Sequence, residues 1–283
     1  VRIEDLVTDN KNIRLVPLFS GSSGNSTLLE CEGTRILIDI GRTCKQISEA
    51  LYAVGSDPTA LDAIFITHDH SDHISGVDVF IRKYGIPVYA TEGTWRGMHA
   101  VERKPHDITL DHVMEEGSEV TIGDVCVRSF ATPHDAYGSC GYKFTSASGM
   151  SVAIATDLGA VTEEIYNTLL GSTAVLLEAN YDYHMLWEGP YPYPLKKRVN
   201  SNHGHLCNDD CARTIYSLYQ NGTRHFILGH LSQENNHPMV AERTIQMVMS
   251  EAHLTRDEDY TLTIAKRHTP TEPLLLPFSK VTK

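Results

Sequence analysis

Long apolar runs, clustered cysteines, low-complexity tracts and an excess of positive charge are all missing from this sequence. No stretch approaches the roughly 20 apolar residues that a membrane-spanning helix needs. The opening VRIEDLVTDN carries acids where a secretion signal would carry bases and then an apolar stretch, so a soluble, cytoplasmic protein is expected. The first residue is Val rather than Met, which leaves the encoded start open. Six cysteines (Cys31, Cys44, Cys126, Cys140, Cys207 and Cys211) are scattered without a CxxC pair, which argues against a disulfide framework or a structural zinc knuckle. Cys207 and Cys211 are four apart in a helix-like stretch, but no second pair completes a metal site. The formal net charge of −12 is the wrong sign for a protein that coats nucleic acid by bulk electrostatics. It leaves room for an enzyme that gathers phosphates through metals and a local basic patch.

What is present is a chain of 283 residues, 41% hydrophobic, long enough to bury a full core and too apolar for disorder. Residues 1–12 read as a polar extension and 13–283 as a single domain. IRLVPLF is a strand running into the loop SGSSGNS, and STLLEC and TRILIDIG follow as strands. A helix over 45–54 precedes LDAIFIT, a short apolar run bounded by Pro58 and by HDHSDH, which reads as a buried strand delivering a loop. Helices over 76–84 and near Thr94, the strand PVYA, and strands over 119–122 and 126–131 complete the first half. The second half repeats the theme with GYKFTS, MSVAIATD, AVLLEAN and HFILGH as strands, helices over 162–170, 209–220 and 239–250, and YTLTIA as the closing strand. Strands that dominate early and interleave with helices suit an α/β (α+β) fold of two sheets packed face to face with helices outside.

THDHSDH is the strongest chemical signal. His68 and His70 sit two apart at the extended end of a strand, so both imidazoles face one side and can hold one cation. Asp72 and His73 follow on the turn and can hold a second. Further ligands must come from later strand ends, and three candidates recur there: His134 in ATPHDA, Asp157 in VAIATD and His230 in HFILGH. With Asp157 bridging, one ion takes His68, His70 and His134 and the other Asp72, His73 and His230. Such a pair acidifies a bridging water to give hydroxide near neutrality and clamps the oxygens of an in-line displacement. Zinc suits the donors best, with manganese or iron as alternatives.

HxHxDH with a later His, an Asp and a final His resembles the motif set of metallo-β-lactamase-fold hydrolases, from Ile13 to about Ala265. The resemblance implies a four-layer αββα sandwich. SGSSGNS, LIDIG, ATPHDA, EANYD, YPYPLKKR, GHL and LGHLSQENN are similar to the YycJ/WalJ group, which implies DNA exonuclease or phosphodiesterase activity. GHLCN departs from that group, which usually has Ser at Cys207. Asp39, ending the strand RILID, is implied to brace the HxHxDH loop. The loop 20–26 is rich in backbone N–H groups and suits either a phosphate cradle without a Walker lysine or a tight strand connection.

Carbonyl and phosphodiester substrates divide this superfamily. Zinc β-lactamases lack the bridging Asp, whereas thioesterases of the glyoxalase II type use it and remain the alternative. His205 in NHGHL, with Glu178 at a preceding strand end, favours phosphodiesters, because a His held by a carboxylate suits protonation of an alkoxide leaving group. A similar pair has that place in ribonuclease Z. The expected catalytic groups are Asp72, His205 and Glu178. Lys196, Lys197, Arg198 and Arg213 form either a substrate patch or a solvated helix face. Tyr181, Tyr183, Trp187, Tyr191 and Tyr193 either stack bases or cap the core. A nucleic-acid or other phosphodiester substrate is expected, and no membrane contact.

Overall fold

A computed structural model describes residues 12–102 and 104–277. Most of the expected extension, 1–11, lies outside the described residues, and Asn12 already belongs to the first strand. The first sheet is built from β1 (Asn12–Phe19), β2 (Ser26–Cys31), β3 (Thr34–Ile38), β4 (Ala63–Phe65), β5 (Val88–Ala90) and β6 (Asp111–Val113). The second comprises β7 (Glu119–Ile122), β8 (Val125–Ala131), β9 (Cys140–Ser146), β10 (Ser151–Ala155), β11 (Ala174–Glu178), β12 (His225–Gly229) and β13 (Thr261–Ile264). A last strand, β14 (Leu274–Pro277), returns to the first sheet beside β1. YTLTIA therefore does not close the chain.

The two sheets share one plan. In the first, β14-β1-β2-β3 pair antiparallel and β3-β4-β5-β6 parallel. In the second, β7-β8-β9-β10 pair antiparallel and β10-β11-β12-β13 parallel. Helices cover the outer faces: α1 (Cys44–Ala53), α2 (Ser71–Ile74), α3 (Val77–Tyr84) and α4 (Glu92–Val101) belong to the first half. In the second half come α5 (Glu163–Leu169), α6 (Tyr183–Glu188), α7 (Tyr193–Val199), α8 (Asn208–Gln220) and α9 (Pro238–Glu251). Among the described residues no helix is long and apolar enough to cross a membrane.

Strand alternation sorts the core into three layers. Ile36, Ile38, Ala63, Phe65, Leu176 and Ile227 face inward between the sheets. Leu37, Ile64 and Ile66 face α1 and α3 on one outside. Val175, Leu177, Phe226 and Leu228 face α8 and α9 on the other. Phe65 anchors the inner layer, 4.9 Å from the Tyr89 ring and 5.1 Å from that of Tyr142. This is the four-layer sandwich that the pattern implied.

The helices start on local chemistry. Thr43 and Gln46 form a reciprocal capping box at α1, and Thr91 and Thr162 cap α4 and α5. At α8 the cap is Cys207, whose Sγ accepts from the Asp210 N–H at 3.4 Å. A thiol is a weak acceptor, and Ser holds the same position better. Cys207→Ser should therefore stabilise the fold by about 0.5 kcal/mol and raise Tm by about 1–2 °C. A lower midpoint in calorimetry would contradict that account of the cap. All six cysteines are free, and Cys211 is fully buried inside the α8 core face.

Candidate metal centre

The expected ligands converge where the strands end, most of them at the carboxyl ends of parallel strands, the usual place for a site in such sheets. β4 runs out through Ile66 and Thr67 into His68, Asp69 and His70, and α2 then carries Asp72 and His73. The second sheet holds this loop from across the sandwich: the Tyr142 hydroxyl donates to Ile66 O at 2.7 Å and the Cys140 N–H to Thr67 O at 3.0 Å. His134 follows β8, Asp157 follows β10, Glu178 ends β11 and His230 follows β12. Asp39, Asp157 and His230 each adopt positive φ (60°, 57° and 54°). Non-glycine residues held there carry strain of about 1–3 kcal/mol each and cluster at functional sites, because the turn re-aims the side chain.

Ligand atoms gather in overlapping groups, each within 4.8 Å: His68, His70 and His134; His68, His73 and Asp157; Asp72, His73 and His230; and Asp157, Glu178, His205 and His230. Asp157 lies between the others, with Oδ2 3.2 Å from His73 Nε2 and Oδ1 3.8 Å from His134 Nε2. Asp72 Oδ2 is 3.3 Å from His230 Nε2 and 3.7 Å from His73 Nε2. His70 Nδ1 lies 3.3 Å from His134 Nε2.

Outer partners turn the imidazoles. His73 donates Nδ1–H to Asp39 Oδ2 at 2.8 Å, and His134 donates its Nδ1–H to Gly204 O at 2.9 Å, so both Nε2 atoms face inward. Asp39 also accepts from the Thr67 N–H at 2.8 Å, so this carboxylate is where the resemblance put it. Gly41 is required beside it: a Cβ there would stand 1.7 Å from Asp72 O. Glu178 Oε1 receives Nδ1–H from His205 at 2.7 Å and from His230 at 3.0 Å. Its Oε2 accepts from the Leu158 and Leu206 N–H groups, so the carboxylate is held at both oxygens.

Burial and neighbouring charge compete across the site. Burial holds His68 well below the ordinary imidazole range, with His73 adding to the effect, and it lowers His134 as well. Both then favour the neutral form, which is the form that binds a metal. Burial would raise Asp157, but the His230 and His73 charges outweigh it and hold the carboxyl well below its usual range. Burial would lower His230, but Asp157 and the bonds to Asp72 and Glu178 outweigh it and raise the imidazole to about 10. His68 Nε2 and Asp157 Oδ2 are buried without a hydrogen-bond partner among the described residues. An unpaired buried polar atom costs about 1–3 kcal/mol, a cost that ligation to a cation removes. The mixed imidazole and carboxylate donors fit divalent metal ions.

His205 borders the cluster at one-fifth exposure, its ring 5.1 Å from His134 and 5.3 Å from His230. His203 is turned to solvent. The site opens into a cavity of about 210 Å³ lined by His70, Asp72, Asp135, Tyr191, His205 and His230, among others. Three polar contributors were not singled out in the sequence. Asp135 pairs with Arg198 at the rim, and that guanidinium holds its carboxyl below the usual range. Asn25 Nδ2 lies 2.9 Å from His73 Nε2, and Asn180 Nδ2 donates to His230 O at 2.9 Å. Asp135 lies in ATPHDA, Asn25 in SGSSGNS and Asn180 in EANYD, so each belongs to a motif of the sequence.

The basic and aromatic groups near α7 are more occupied than their clustering suggests. Arg198 pairs with Asp135, Arg213 with Asp210, and Lys196 Nζ donates to Trp187 O at 2.6 Å. Tyr181 is buried and bonded to Asn200, whereas Tyr183 and Tyr193 are exposed beside Trp187.

A four-layer sandwich with His and Asp side chains gathered at its strand ends defines the metallo-β-lactamase class of fold. Residues 34–231 match the model of the beta-lactamase superfamily domain. The chain is 38% identical over 244 residues to exodeoxyribonuclease WalJ of Streptococcus pneumoniae serotype 2 (strain D39 / NCTC 7466), covering 86% of this chain and 90% of that one. It is 36% identical over 236 residues to exodeoxyribonuclease YycJ of Bacillus anthracis, covering 83% and 88%. The crystal structure of the metallo-beta-lactamase fold protein YhfI from Bacillus subtilis superimposes with a TM-score of 0.69 at 15% identity, over 92% of this chain and 99% of that one. The chain belongs to the beta-lactamase superfamily.

Proposed function

We propose that residues 13–283 form one catalytic domain, a metal-dependent phosphodiesterase that cleaves nucleic acid, DNA first, as an exonuclease in the cytoplasm. The observation that carries this reading is the Glu178–His205 pair set against the ligand cluster. Two relatives named exodeoxyribonucleases, each matched over most of its length, support it. In this reading His68, His70 and His134 hold one cation, Asp72, His73 and His230 a second, and Asp157 serves both. Zinc suits these donors, with manganese or iron as alternatives. Bound there, the cations supply Lewis acidity and make a water acidic enough to ionise near neutrality.

The chain's own residues do the rest. Glu178 holds the Nδ1–H of His205, which leaves Nε2 as the nitrogen that, when protonated, gives its proton to the leaving oxygen. Asp72, 3.3 Å from His230 and from Asn25 Nδ2, is placed to orient the attacking water as well as to bind. Asp39 and Gly204 keep His73 and His134 aimed. The six free thiols suit a reducing compartment.

The test is elemental analysis of the purified protein followed by turnover of bis(p-nitrophenyl) phosphate and of end-labelled single- and double-stranded DNA. Bound divalent metal with release of nitrophenolate and of nucleotides is expected, and chelation should abolish both. Cleavage of a thioester with no phosphodiester turnover would replace this reading by the carbonyl-substrate alternative.

A further inference from the structure

The loop Ser20–Ser26 has the composition of a phosphate cradle, yet three of its amides, including both glycines', are spent within the fold. The Gly21 N–H donates to Asn25 Oδ1 at 2.7 Å, that of Gly24 to Gly21 O at 2.9 Å and that of Asn25 to Asp72 O at 2.7 Å. The loop also carries hydroxyls and leaves space over its glycines. Two arginines fill that space. Gly24, at φ 145°, lies under Arg42: a Cβ there would stand 2.6 Å from Arg42 Cδ. Gly21, at φ 123°, lies under Arg267, whose Nη1 would be 2.7 Å from such a Cβ.

These guanidiniums differ from those near α7. Arg42 donates to Ser23 Oγ at 2.8 Å and lies 3.1 Å from His268 Nδ1, and Arg267 donates to Leu231 O, next to His230. Neither meets a carboxylate among the described residues, whereas Arg198 and Arg213 each do. Arg42 Nε and Arg267 Nη1 are buried with no partner among the described residues. Burial and then the charge of Arg42 disfavour the charged form of Arg267. Two like charges over one short loop, with donors unspent, are what an anion relieves. The loop reaches the site through Ser22, which lines its cavity, while Arg267 lines an adjoining cavity that shares Ser232 with it.

We propose that Arg42 and Arg267, with Ser23 and His268, form a subsite for a non-scissile phosphate of the substrate strand. The inference rests on the phosphodiesterase reading and adds to it a second point of recognition, which a nucleic acid satisfies and a single phosphodiester does not. The phosphate is either a terminal monoester or the backbone diester of a neighbouring nucleotide.

The experiment compares the unaltered holoenzyme with Arg42→Gln, Arg42→Lys, Arg267→Gln and Arg267→Lys. Fluorescence anisotropy reads the affinity for oligonucleotides bearing a 5′-phosphate, a 3′-phosphate or neither, across a salt series. Each Gln variant should weaken binding about ten- to a hundredfold, as loss of a charge-assisted bond does, and lower the salt slope by about one. Lys should restore part of the affinity, because it keeps the charge but not the fork. The loss in kcat/KM on DNA should exceed that on bis(p-nitrophenyl) phosphate at least tenfold. A loss confined to one phosphorylated end identifies the terminal monoester, and a loss common to all three strands identifies the backbone. Unaltered affinity and salt slope in both Gln variants overturn the subsite, as does an equal loss on the small substrate, which makes the arginines mere supports of the loop. Absence of oligonucleotide binding by the unaltered protein overturns it too, whereas binding without turnover overturns only the phosphodiesterase reading.

Discussion

Asp157→Ala is expected to empty or mobilise at least one metal ion and to remove activity. The other buried carboxylates of the centre, Glu178 and Asp39, are not free to take its place. Both oxygens of Glu178 are committed, to His205 and His230 and to two backbone N–H groups. Both oxygens of Asp39 are committed to Thr67 and His73. Asp157 Oδ2 alone among these is buried without a hydrogen-bond partner, and the pressure of His230 and His73 keeps the carboxyl ionised despite complete burial. Loss of a partner that merely orients a ligand costs about 10–100-fold in metal affinity or activity, so loss of the shared ligand itself should cost more. Asp157→Asn, which keeps the volume and removes the charge, separates electrostatics from packing and should fail in the same way. Full metal occupancy by elemental analysis in either variant would contradict the bridging role.

The clustered His and Asp residues were legible because most sit at or just after the end of an apolar run whose period marks a strand. Side chains at such ends from several parallel strands meet at one edge of the sheet, so His134, Asp157 and His230 could be grouped with THDHSDH across long sequence separations. The layered fold was legible for the same reason: the alternation in TRILI and AVLLE assigns each side chain to a face. What escaped has short or interrupted signals. β14 is four residues ending in Pro277 after a proline-rich turn, and its place depends on the free edge of β1. α7 opens after Pro192 in a segment interrupted by prolines, where no helix bounds were expected. The Asp135–Arg198 pair joins residues 63 apart, and no local pattern announces it. It also explains why the run KKR overstated the free positive charge near His205. Arg42 and Arg267, two arginines far apart in the chain, by contrast meet no carboxylate among the described residues.

His205→Ala separates a phosphodiesterase from a generic metal hydrolase. Its Nδ1–H goes to Glu178, and its ring stands at the cavity wall at one-fifth exposure. His230 keeps its own bond to Glu178 Oε1 at 3.0 Å, so removing the His205 ring should leave the fold and both metals in place. Glu178 would be the poorer test, because its other oxygen holds the backbone of Leu158 and Leu206. Turnover of DNA, whose leaving alkoxide needs a proton, should fall by about 10²–10⁴. Nitrophenolate leaves without one, so hydrolysis of bis(p-nitrophenyl) phosphate should suffer much less. The contrast between the substrates is the informative quantity, with metal content measured alongside. Equal losses on both would make His205 a phosphate contact or a support of the centre, and loss of metal would make it a ligand. Unchanged rates on both would return it to an ordinary surface histidine and remove the principal structural argument for a nuclease.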